Sequence, residues 1–428
     1  MTLLAMPLYR ALLTIAWPVV AFLLLLRVLR GRESLRDWTQ RIGLGTGDAP
    51  GAHLWVHAAS NGELISARPV ILALRQRRPD LKLLITTNSL GGRALAEGWG
   101  LDGLTARLAP LDSRWAAHRV IGGYQVCGHV LLESEFWPNR IGALSARGVP
   151  VFAIGARLSR RSAQGWRRAM RLADQVLSRL TLVSPQDDGT RRRLLNLGLH
   201  EARLGPVLDL KAFYDPPAGM TPDARLQAAF DRPRTWLAAS THDGEDRIVL
   251  TAHAALLKVC PRARLILAPR HPDRGAAIAA LAQEMGLDVA RRAAEEPPRP
   301  GAVYIADTLG EMPLWYALAS TTFVGGSLVE VGGHTPFEPA LFDSTLLHGP
   351  NTSNFTRIYR QLDVAGAAIQ VSDAKSLARA LIACRDPDRQ AAMRRLARDQ
   401  LDKPTDFEAL VNRMAAALPD ASPPRAPV

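Results

Sequence analysis

Residues 53–87 read HLWVHAASNGELISARPVILALRQRRPDLKLLITT. Residues 53–58 and 81–87 are short aliphatic runs of the kind found in buried strands, and residues 64–77 between them carry apolar side chains at helical spacing. A strand, an amphipathic helix and a second strand in this order are typical of a βαβ unit in a parallel sheet. This stretch therefore predicts an α/β fold with a doubly wound parallel sheet.

The same alternation continues along most of the chain, and the proline-containing residues 209–233 interrupt it as a linker between domains would. Further strands are predicted at residues 126–132, 149–154, within 175–184, and at 235–239, 263–268, 303–306 and 321–324; helices are predicted at residues 246–259, 277–285, 312–319 and 374–384. We expect two Rossmann-like domains that face a cleft. Their predicted bounds are 1–31 for an N-terminal helix, 32–212 for the first domain, 213–234 for the linker, 235–418 for the second domain and 419–428 for a frayed tail.

The N-terminal segment predicts a membrane anchor. Residues 11–26 contain no charged side chain, whereas arginines follow directly at positions 27, 30, 32 and 36. Arginine after an apolar helix places the bulk of the chain on the cytoplasmic side. A cleaved signal peptide is the competing interpretation, but its cleavage region is normally small and neutral. A buried or interfacial helix also remains open, because the segment is short for a full span.

The composition limits which cellular compartment and which partners are expected. Three cysteines, Cys127, Cys260 and Cys384, lie far apart, so neither a disulfide framework nor a zinc site is expected and a reducing compartment fits. The net charge of +13 favours an anionic partner such as nucleic acid, a phospholipid surface or a phosphorylated substrate. No nucleic-acid recognition motif accompanies the charge, so nucleic acid is not an expected partner.

Ligands of open α/β sheets bind beyond the carboxyl ends of the strands, so the loops at those ends are the candidate sites. In the loop HAASNGE, Glu63 enters a helix after a strand and can accept a proton from a hydroxyl group. A glutamate there is also what the helix dipole favours, and spacing alone supports that simpler interpretation. In the next loop Ser89 and Arg93 can meet a phosphate or serve an ordinary turn.

Two more loops of the first half carry charge. Residues 133–139 read ESEFWPN, where Glu135 can bind sugar hydroxyls, orient Glu63 or simply pair with an arginine. Arg157 follows another predicted strand and can pair with Glu133 or Glu135, or hold an anionic sugar. In the second half, residues 323–339 read FVGGSLVEVGGHTPFEP, whose glycines let backbone N–H groups approach a phosphate.

Several catalytic motifs do not occur in the sequence. There is no GxxxxGK[ST] loop, no GxGxxG after the first strand, no HExxH and no Asp-x-Asp pair that would hold a metal diphosphate. We therefore expect no metal site and no bound cofactor.

Together the loops resemble the family of Kdo (3-deoxy-D-manno-octulosonic acid) transferases. The resemblance rests on eight segments in order: HAASNGE, TTNSLGGR, ESEFWPN, GARLS, ASTHDGE, PRHP, DTLGEM and FVGGSLVEVGGHTPFEP. It implies an inverting, metal-independent GT-B enzyme at the cytoplasmic face of the inner membrane, which transfers Kdo from CMP-Kdo to a lipid A precursor. The first domain would then hold the acceptor and the second domain the donor.

The resemblance and the loop chemistry assign the site residues as follows. The catalytic residues are Glu63 as base and Glu135; the donor-binding residues are Ser240, Thr241, Arg270, His271, Gly325, Gly326, Ser327, Gly333, His334 and Glu338; the acceptor- or anion-binding residues are Ser60, Ser89, Arg93 and Arg157.

Some positions depart from the family pattern. The Asn and Lys expected after GARLS are missing at residues 205–208, and Thr335 stands where the family prefers Asn. Two alternatives therefore stay open: a GT-B transferase that uses another nucleotide sugar, and a degenerate homologue that binds the lipid A precursor without catalysis.

Overall fold

The computed structural model describes residues 5–45, 51–213, 221–299, 301, 303–401 and 404–420. It divides into two compact units. Unit 1 comprises residues 1–213 together with 403–428, and unit 2 comprises residues 214–402.

Unit 1 is a doubly wound α/β structure. Its strands are β1 (His53–Ala58), β2 (Lys82–Thr87), β3 (Leu104–Leu108), β4 (Val126–Leu132), β5 (Val151–Ala156) and β6 (Leu182–Pro185). Its helices are α1 (Ala5–Leu29), α2 (Leu35–Arg41), α3 (Asn61–Arg77), α4 (Leu90–Glu97), α5 (Arg114–Gly123), α6 (Pro138–Ser145), α7 (Arg160–Arg168), α8 (Met170–Leu177) and α9 (Asp188–Leu195). The strands pair in parallel in the order β3-β2-β1-β4-β5-β6, so the predicted doubly wound sheet is confirmed for this half.

Both faces of this sheet are covered. On β1, Leu54 and Val56 point into one buried cluster, whereas Trp55 points into the other. A strand buried on both faces needs a continuous apolar run, which is why residues 53–58 are easily predicted from sequence. The strand order reverses between β1 and β4, so the loops after these two strands open onto the crevice where such folds bind ligands.

Unit 2 has the same architecture. After α10 (Ala224–Ala229) its strands are β7 (Thr235–Thr241), β8 (Arg264–Pro269), β9 (Val289–Arg291), β10 (Val303–Ile305), β11 (Thr321–Val324), β12 (Thr345–His348) and β13 (Ala368–Gln370). The accompanying helices are α11 (Glu245–Val259), α12 (Gly275–Glu284), α13 (Met312–Leu318), α14 (Phe337–Leu341), α15 (Thr356–Val364), α16 (Ala374–Ala383) and α17 (Pro387–Leu401). The parallel order is β13-β12-β11-β7-β8-β10-β9, and it reverses between β7 and β11.

The last helix, α18 (Pro404–Ala417), belongs to unit 1, whereas the sequence pattern assigned it to the second domain. The reason is burial: Leu410, Val411 and Met414 are fully buried in the unit 1 cluster that also holds Leu54 and Val56. An amphipathic pattern shows that a helix has a buried face but does not show which sheet covers it.

The predicted linker is also shorter than expected. Residues 214–220 lie outside the described residues. Beyond them, Leu226 on α10 and the following Phe230 are buried in a core cluster of unit 2, where Phe230 packs edge-on against Tyr304. This part of the proline-rich stretch is therefore part of unit 2. Most of the predicted tail, residues 421–428, lies outside the described part of the chain as well.

The N-terminal helix α1 is long and apolar enough to cross a membrane from Met6 to Leu29. Pro18 lies within it. One face of this helix is exposed. It carries Leu8, Leu12, Ile15, Val19, Phe22 and Leu23. This agrees with the predicted apolar N-terminal helix.

Candidate functional site

The first candidate site lies at the strand-order reversal of unit 1, where Glu63 stands in the first turn of α3. Ser60 caps this helix, since its Oγ accepts the N–H of Glu63 at 3.2 Å. The carboxylate folds back: Oε2 accepts the N–H of Ala59 at 2.8 Å and Oε1 accepts the Ser60 hydroxyl at 3.2 Å. Glu63 is thus held in one orientation by its own loop.

Burial raises the pKa of Glu63 to about 7, against the opposing hydrogen bond from Ala59. The negative charges of Glu133 and Glu135 raise it further. A general base works best when its pKa lies near the working pH, because it is then both ionised and still a useful proton acceptor. A raised pKa would suit Glu63 as a general base, and this role stays a prediction.

Glu133 directly follows β4 and has a left-handed backbone with φ of 49°. Such a conformation costs a residue other than glycine roughly 1 kcal/mol, and strain of this kind concentrates at functional sites. Glu133 and Glu63 line the same small cavity of about 20 Å³, together with Gln186 and Asp209. The sequence analysis named Glu133 only as a partner for Arg157. The signal for a further role was the presence of two carboxylates directly after one predicted strand.

Glu135 does not contact Glu63 directly. Its Oε2 accepts hydrogen bonds from Trp137 Nε1 at 2.7 Å and from His57 Nε2 at 3.2 Å. Burial by itself would raise the pKa of Glu135, but these hydrogen bonds outweigh burial and hold the pKa below its usual range. Glu135 is therefore a fixed carboxylate, and it contributes negative charge near Glu63.

His57 supports Glu135 as a neutral ring. Burial, together with the positive charge of Arg140, lowers the pKa of His57 to about 4. Because the carboxylate can only accept, the Nε2 of the neutral ring carries the proton and donates to it. The contact is thus a hydrogen bond rather than an ion pair. The sequence analysis named no role for His57, and its position at the end of a strand was the only signal.

The four predicted anion-binding residues have structural partners. Ser60 and Ser89 cap α3 and α4. Arg93 pairs with the buried carboxylate of Asp37. Arg157 is exposed, and its backbone N–H donates to the backbone carbonyl of Glu133 at 3.3 Å. Anion binding by these residues stays a prediction, and for Arg93 the positive charge is already partly neutralised.

The Glu63 environment predicts a pH profile. We expect kcat/KM to fall about tenfold for each pH unit below pH 7 and to level off above it, because only the ionised carboxylate accepts a proton. In Glu133→Gln this acid limb should move to lower pH, since one charge that raises the pKa of Glu63 is removed. Initial rates at subsaturating acceptor between pH 5 and 9 measure both profiles. An acid limb that stays at the same pH in Glu133→Gln would contradict the electrostatic coupling.

The second candidate site lies at the strand-order reversal of unit 2. His242 follows β7 and His334 follows β11; their rings stack at 5.1 Å between centroids, with Nε2 atoms 2.9 Å apart. His271 meets His242 edge-on at 5.9 Å, and both His271 and Arg270 are exposed beyond β8. Burial lowers the pKa of His242 against the opposing charge of Glu245, and His271 and two nearby arginines lower it further. The structure thus brings three predicted donor-binding residues, Arg270, His271 and His334, to one edge of the sheet.

The glycine loop after β11 is organised by a carboxylate of the protein. Glu245 is fully buried, and its two oxygens accept the N–H groups of Gly326, Ser327 and Leu328 at 2.7 to 3.0 Å. Oε2 also accepts the N–H of His242 at 2.8 Å. Donor binding by the glycine loop stays a prediction, and in the structure the N–H groups of Gly326, Ser327 and Leu328 are already bonded to Glu245. We call this arrangement the Glu245 clasp.

The paired glycines have a steric reason to be there. A Cβ on Gly325 would lie 2.6 Å from the carbonyl oxygen of Ser240, and Gly326 has φ of 66°. The backbones after β7 and β11 therefore approach more closely than side chains would allow. Ser240 itself has φ of 55°. Gly333 also has a left-handed backbone, and its N–H bonds to the carbonyl of Gly326.

The remaining predicted donor residues are placed as follows. Thr241 is buried and donates to Asp246 at 2.8 Å, and Asp246 in turn pairs with Arg274. Ser327 is buried, where its hydroxyl bonds to the carbonyl of Val324. Glu338 is half-buried in the first turn of α14. Direct donor contacts of Thr241 and Ser327 stay predictions, but both hydroxyls have protein partners. Within the described residues, no cluster of three or more His, Cys, Asp or Glu side chains is placed to hold a metal ion.

Comparisons with known proteins agree on one family. A family model described as 3-Deoxy-D-manno-octulosonic-acid transferase (kdotransferase) matches residues 36–214. The 3-deoxy-D-manno-octulosonic acid transferase of Haemophilus influenzae is 34% identical over 385 residues, covering 87% of this chain and 89% of that protein. The enzyme of the same name from Bordetella pertussis is 34% identical over 392 residues, covering 86% and 90%.

Among solved structures, MurG from Acinetobacter baumannii matches with a TM-score of 0.51 at 13% identity, covering 86% of this chain and 100% of that one. Such a match speaks for the fold alone. With two parallel α/β sheets and these neighbours, the protein is a glycosyltransferase of the GT-B fold. Its relatives make the assignment more specific: the chain belongs to the Kdo transferase family of lipopolysaccharide synthesis.

Proposed function

We propose that this enzyme transfers Kdo from CMP-Kdo to a lipid A precursor, lipid IVA, with inversion and without a metal or cofactor. The observation that carries the proposal is Glu63, a half-buried carboxylate held by Ala59 and with a pKa raised to about 7. Such a group is suited to remove a proton from a sugar hydroxyl at neutral pH.

In the proposed reaction, a hydroxyl oxygen of the acceptor attacks the anomeric carbon of Kdo. The bond from that carbon to the phosphate oxygen of CMP breaks as the new carbon–oxygen bond forms on the opposite face, so the configuration inverts. Glu63 takes the hydroxyl proton, and CMP leaves with the electron pair of the broken bond. Glu135, fixed by His57 and Trp137, is available to orient acceptor hydroxyls.

The donor chemistry suits the second candidate site. Kdo carries a carboxylate and CMP carries a phosphate, so both halves of the donor are anionic. Arg270 is an exposed cation beyond β8, and His271 and His334 are hydrogen-bonding rings at the same edge. Arginine and imidazole N–H groups can bind such anions without a metal. This supports the proposal that transfer does not require one.

We further propose that α1 anchors the enzyme in the inner membrane with both units on the cytoplasmic side. The helix is the one candidate span among the described residues, and its outer face exposes large apolar side chains. Tyr9 and Arg10 near its amino end bond to Asp112 and Asn139 of unit 1, so the helix would lie along the membrane surface beside unit 1 rather than cross the bilayer. An anchor would keep the enzyme beside a lipid acceptor.

Mass spectrometry of the product tests the function. The full chain is incubated with lipid IVA and freshly generated CMP-Kdo, in parallel with a UDP-hexose, and with and without EDTA. We expect lipid IVA to gain Kdo residues only with CMP-Kdo and at the same rate in EDTA; the mass gives their number. Product from the UDP-hexose would favour the other-donor alternative, and CMP-Kdo binding without CMP release would favour the non-catalytic one.

A further inference from the structure

A cavity of about 230 Å³ lies between α1 and the loops at the carboxyl edge of the unit 1 sheet. Its apolar lining includes Leu13, Ala16, Trp17, Val20, Leu111 and Trp137. Apolar cavities of roughly 150 Å³ are large enough to take up a benzene molecule and otherwise stay dry. We call this space the α1 cavity; it has room for an extended piece of hydrocarbon.

The two faces of α1 have different surroundings. Leu13, Ala16, Trp17 and Val20 recur at the spacing of one helical face, are half-buried and line the cavity. The opposite face carries the exposed side chains, with Ile15 at 75% exposure. A row of large exposed apolar side chains suits a bilayer rather than water. The α1 cavity therefore lies beside the surface that would face lipid.

Polar contacts fix the wall formed by α1. The hydroxyl of Tyr9 donates to Asp112 at 2.8 Å, and Nε of Arg10 donates to Asn139 at 3.1 Å. Asp112 also accepts the backbone N–H groups of Asn139 and Arg140, which begin α6. The same carboxylate thus holds α1 and the start of α6, so the cavity is a built space rather than a gap beside a loose helix.

The inner end of the cavity reaches the catalytic loop. Two of its lining residues, His57 and Trp137, are the residues that hold Glu135. Charged side chains also line it: Arg41, which is paired with Glu33, the carboxylate of Asp112, and the buried Arg140, whose Nη1 has no hydrogen-bond partner. A ligand with an apolar chain and an anionic or hydroxyl-bearing head matches this combination of surfaces.

We propose that the α1 cavity binds one acyl chain of the lipid acceptor and thereby sets the distance of its headgroup from Glu135 and Glu63. The inference rests on the proposed function, since it assumes an acylated acceptor. The cavity's apolar lining, its position beside the lipid-facing helix and its contact with the Glu135 loop favour an acyl chain over water or a soluble ligand. An acyl chain in a bilayer is already in an apolar environment, so it gains little hydrophobic free energy on entering the α1 cavity. The cavity would therefore act mainly by positioning the acceptor headgroup.

Filling the cavity tests the proposal. Ala16→Trp places a large ring in the cavity, and Ile15→Trp places the same ring on the exposed face as the matched control. Both variants and wild type are assayed with lipid IVA and with its chemically deacylated form. Because altering a hydrophobic pocket by even one methylene changes discrimination by roughly tenfold, we expect Ala16→Trp to lower kcat/KM for lipid IVA about tenfold or more. Its turnover of the deacylated acceptor, and both activities of Ile15→Trp, should match wild type.

The outcomes separate this inference from the proposed function. A wild type that uses neither acceptor would overturn the proposed function. A wild type that uses both, with Ala16→Trp unchanged on lipid IVA, would overturn the acyl-chain site alone. If Ala16→Trp loses both activities, the smaller Ala16→Leu decides: a selective fall of kcat/KM for lipid IVA supports the site, and parallel behaviour with both acceptors refutes it.

A diazirine at the end of one acyl chain of lipid IVA gives a readout besides activity. After photolysis, crosslinks in the peptide of residues 11–27 should fall on Leu13, Ala16, Trp17 or Val20. Crosslinks confined to Leu12, Ile15 and Val19 would show bulk lipid around the helix and would contradict an occupied cavity.

Discussion

Glu63→Gln is expected to lower kcat by about 10²–10⁴-fold while CMP-Kdo still binds. Glutamine keeps the size of the side chain and can still accept the N–H of Ala59, but it cannot take a proton from the acceptor hydroxyl. The loss should fall on kcat because the proton is removed in the transition state rather than in the bound ground state. Steady-state rates with lipid IVA and equilibrium binding of CMP measure the two effects separately.

Glu201→Gln is the matched control for this variant. Glu201 is exposed in the same unit, at the start of a short helical turn. Its substitution should leave turnover unchanged, since surface changes of this kind have small effects. Near-normal turnover in Glu63→Gln would contradict the assignment of the base. Loss of CMP binding together with kcat would instead indicate a structural role for Glu63.

Glu245→Gln is expected to disrupt the Glu245 clasp and with it the donor site. The carboxylate accepts four backbone N–H groups, and the carboxamide of glutamine replaces one of its two oxygens with an NH2 group. That NH2 group would face backbone N–H groups, so these donors would be left without an acceptor. Buried donors left unpaired cost about 1–3 kcal/mol each, so we expect unit 2 to lose about 3 kcal/mol of stability. The KM for CMP-Kdo should rise, because the loops that carry His242 and His334 are no longer held together.

Urea unfolding and the KM for CMP-Kdo provide the two measurements. Glu284→Gln, on the exposed end of α12 in the same unit, should change neither. If Glu245→Gln keeps both wild-type stability and the wild-type KM, the clasp does not organise the donor site. A lowered stability with an unchanged KM would limit Glu245 to a purely structural role.

Much of the fold could be predicted because its central strands are buried on both faces. Residues 53–58, 126–132 and 321–324 were predicted as strands with the bounds of β1, β4 and β11. The edge strands β3, β9 and β13 and the interior strand β12 were missed, whereas the edge strand β6 was predicted within residues 175–184. β3 reads LTARL and contains the buried Arg107, which bonds to Tyr124 rather than facing solvent. A short strand with an internal arginine has no clear strand pattern, so only its tertiary partners reveal it.

The loops that form the candidate sites were predicted, but the hydrogen-bond partners of their side chains were not. Motif order placed Glu63, Glu135 and the glycine loop at the carboxyl ends of strands, where the structure has them. The partners of these residues come from distant parts of the chain: His57 reaches Glu135, and Glu245 reaches Ser327. The glycines were interpreted as a ligand contact. The same residue type also permits one loop to pack closely against another. Sequence spacing cannot separate these two uses.

The return of α18 to unit 1 has a consequence for biosynthesis. The ribosome makes the first six strands early, but the helix that completes their hydrophobic core is made only after the whole of unit 2. At about 5–20 residues per second, making unit 2 delays this closure by roughly 10–40 s. During that interval the nascent amino-terminal half carries an open apolar groove, so a chaperone or the membrane itself has time to shield it.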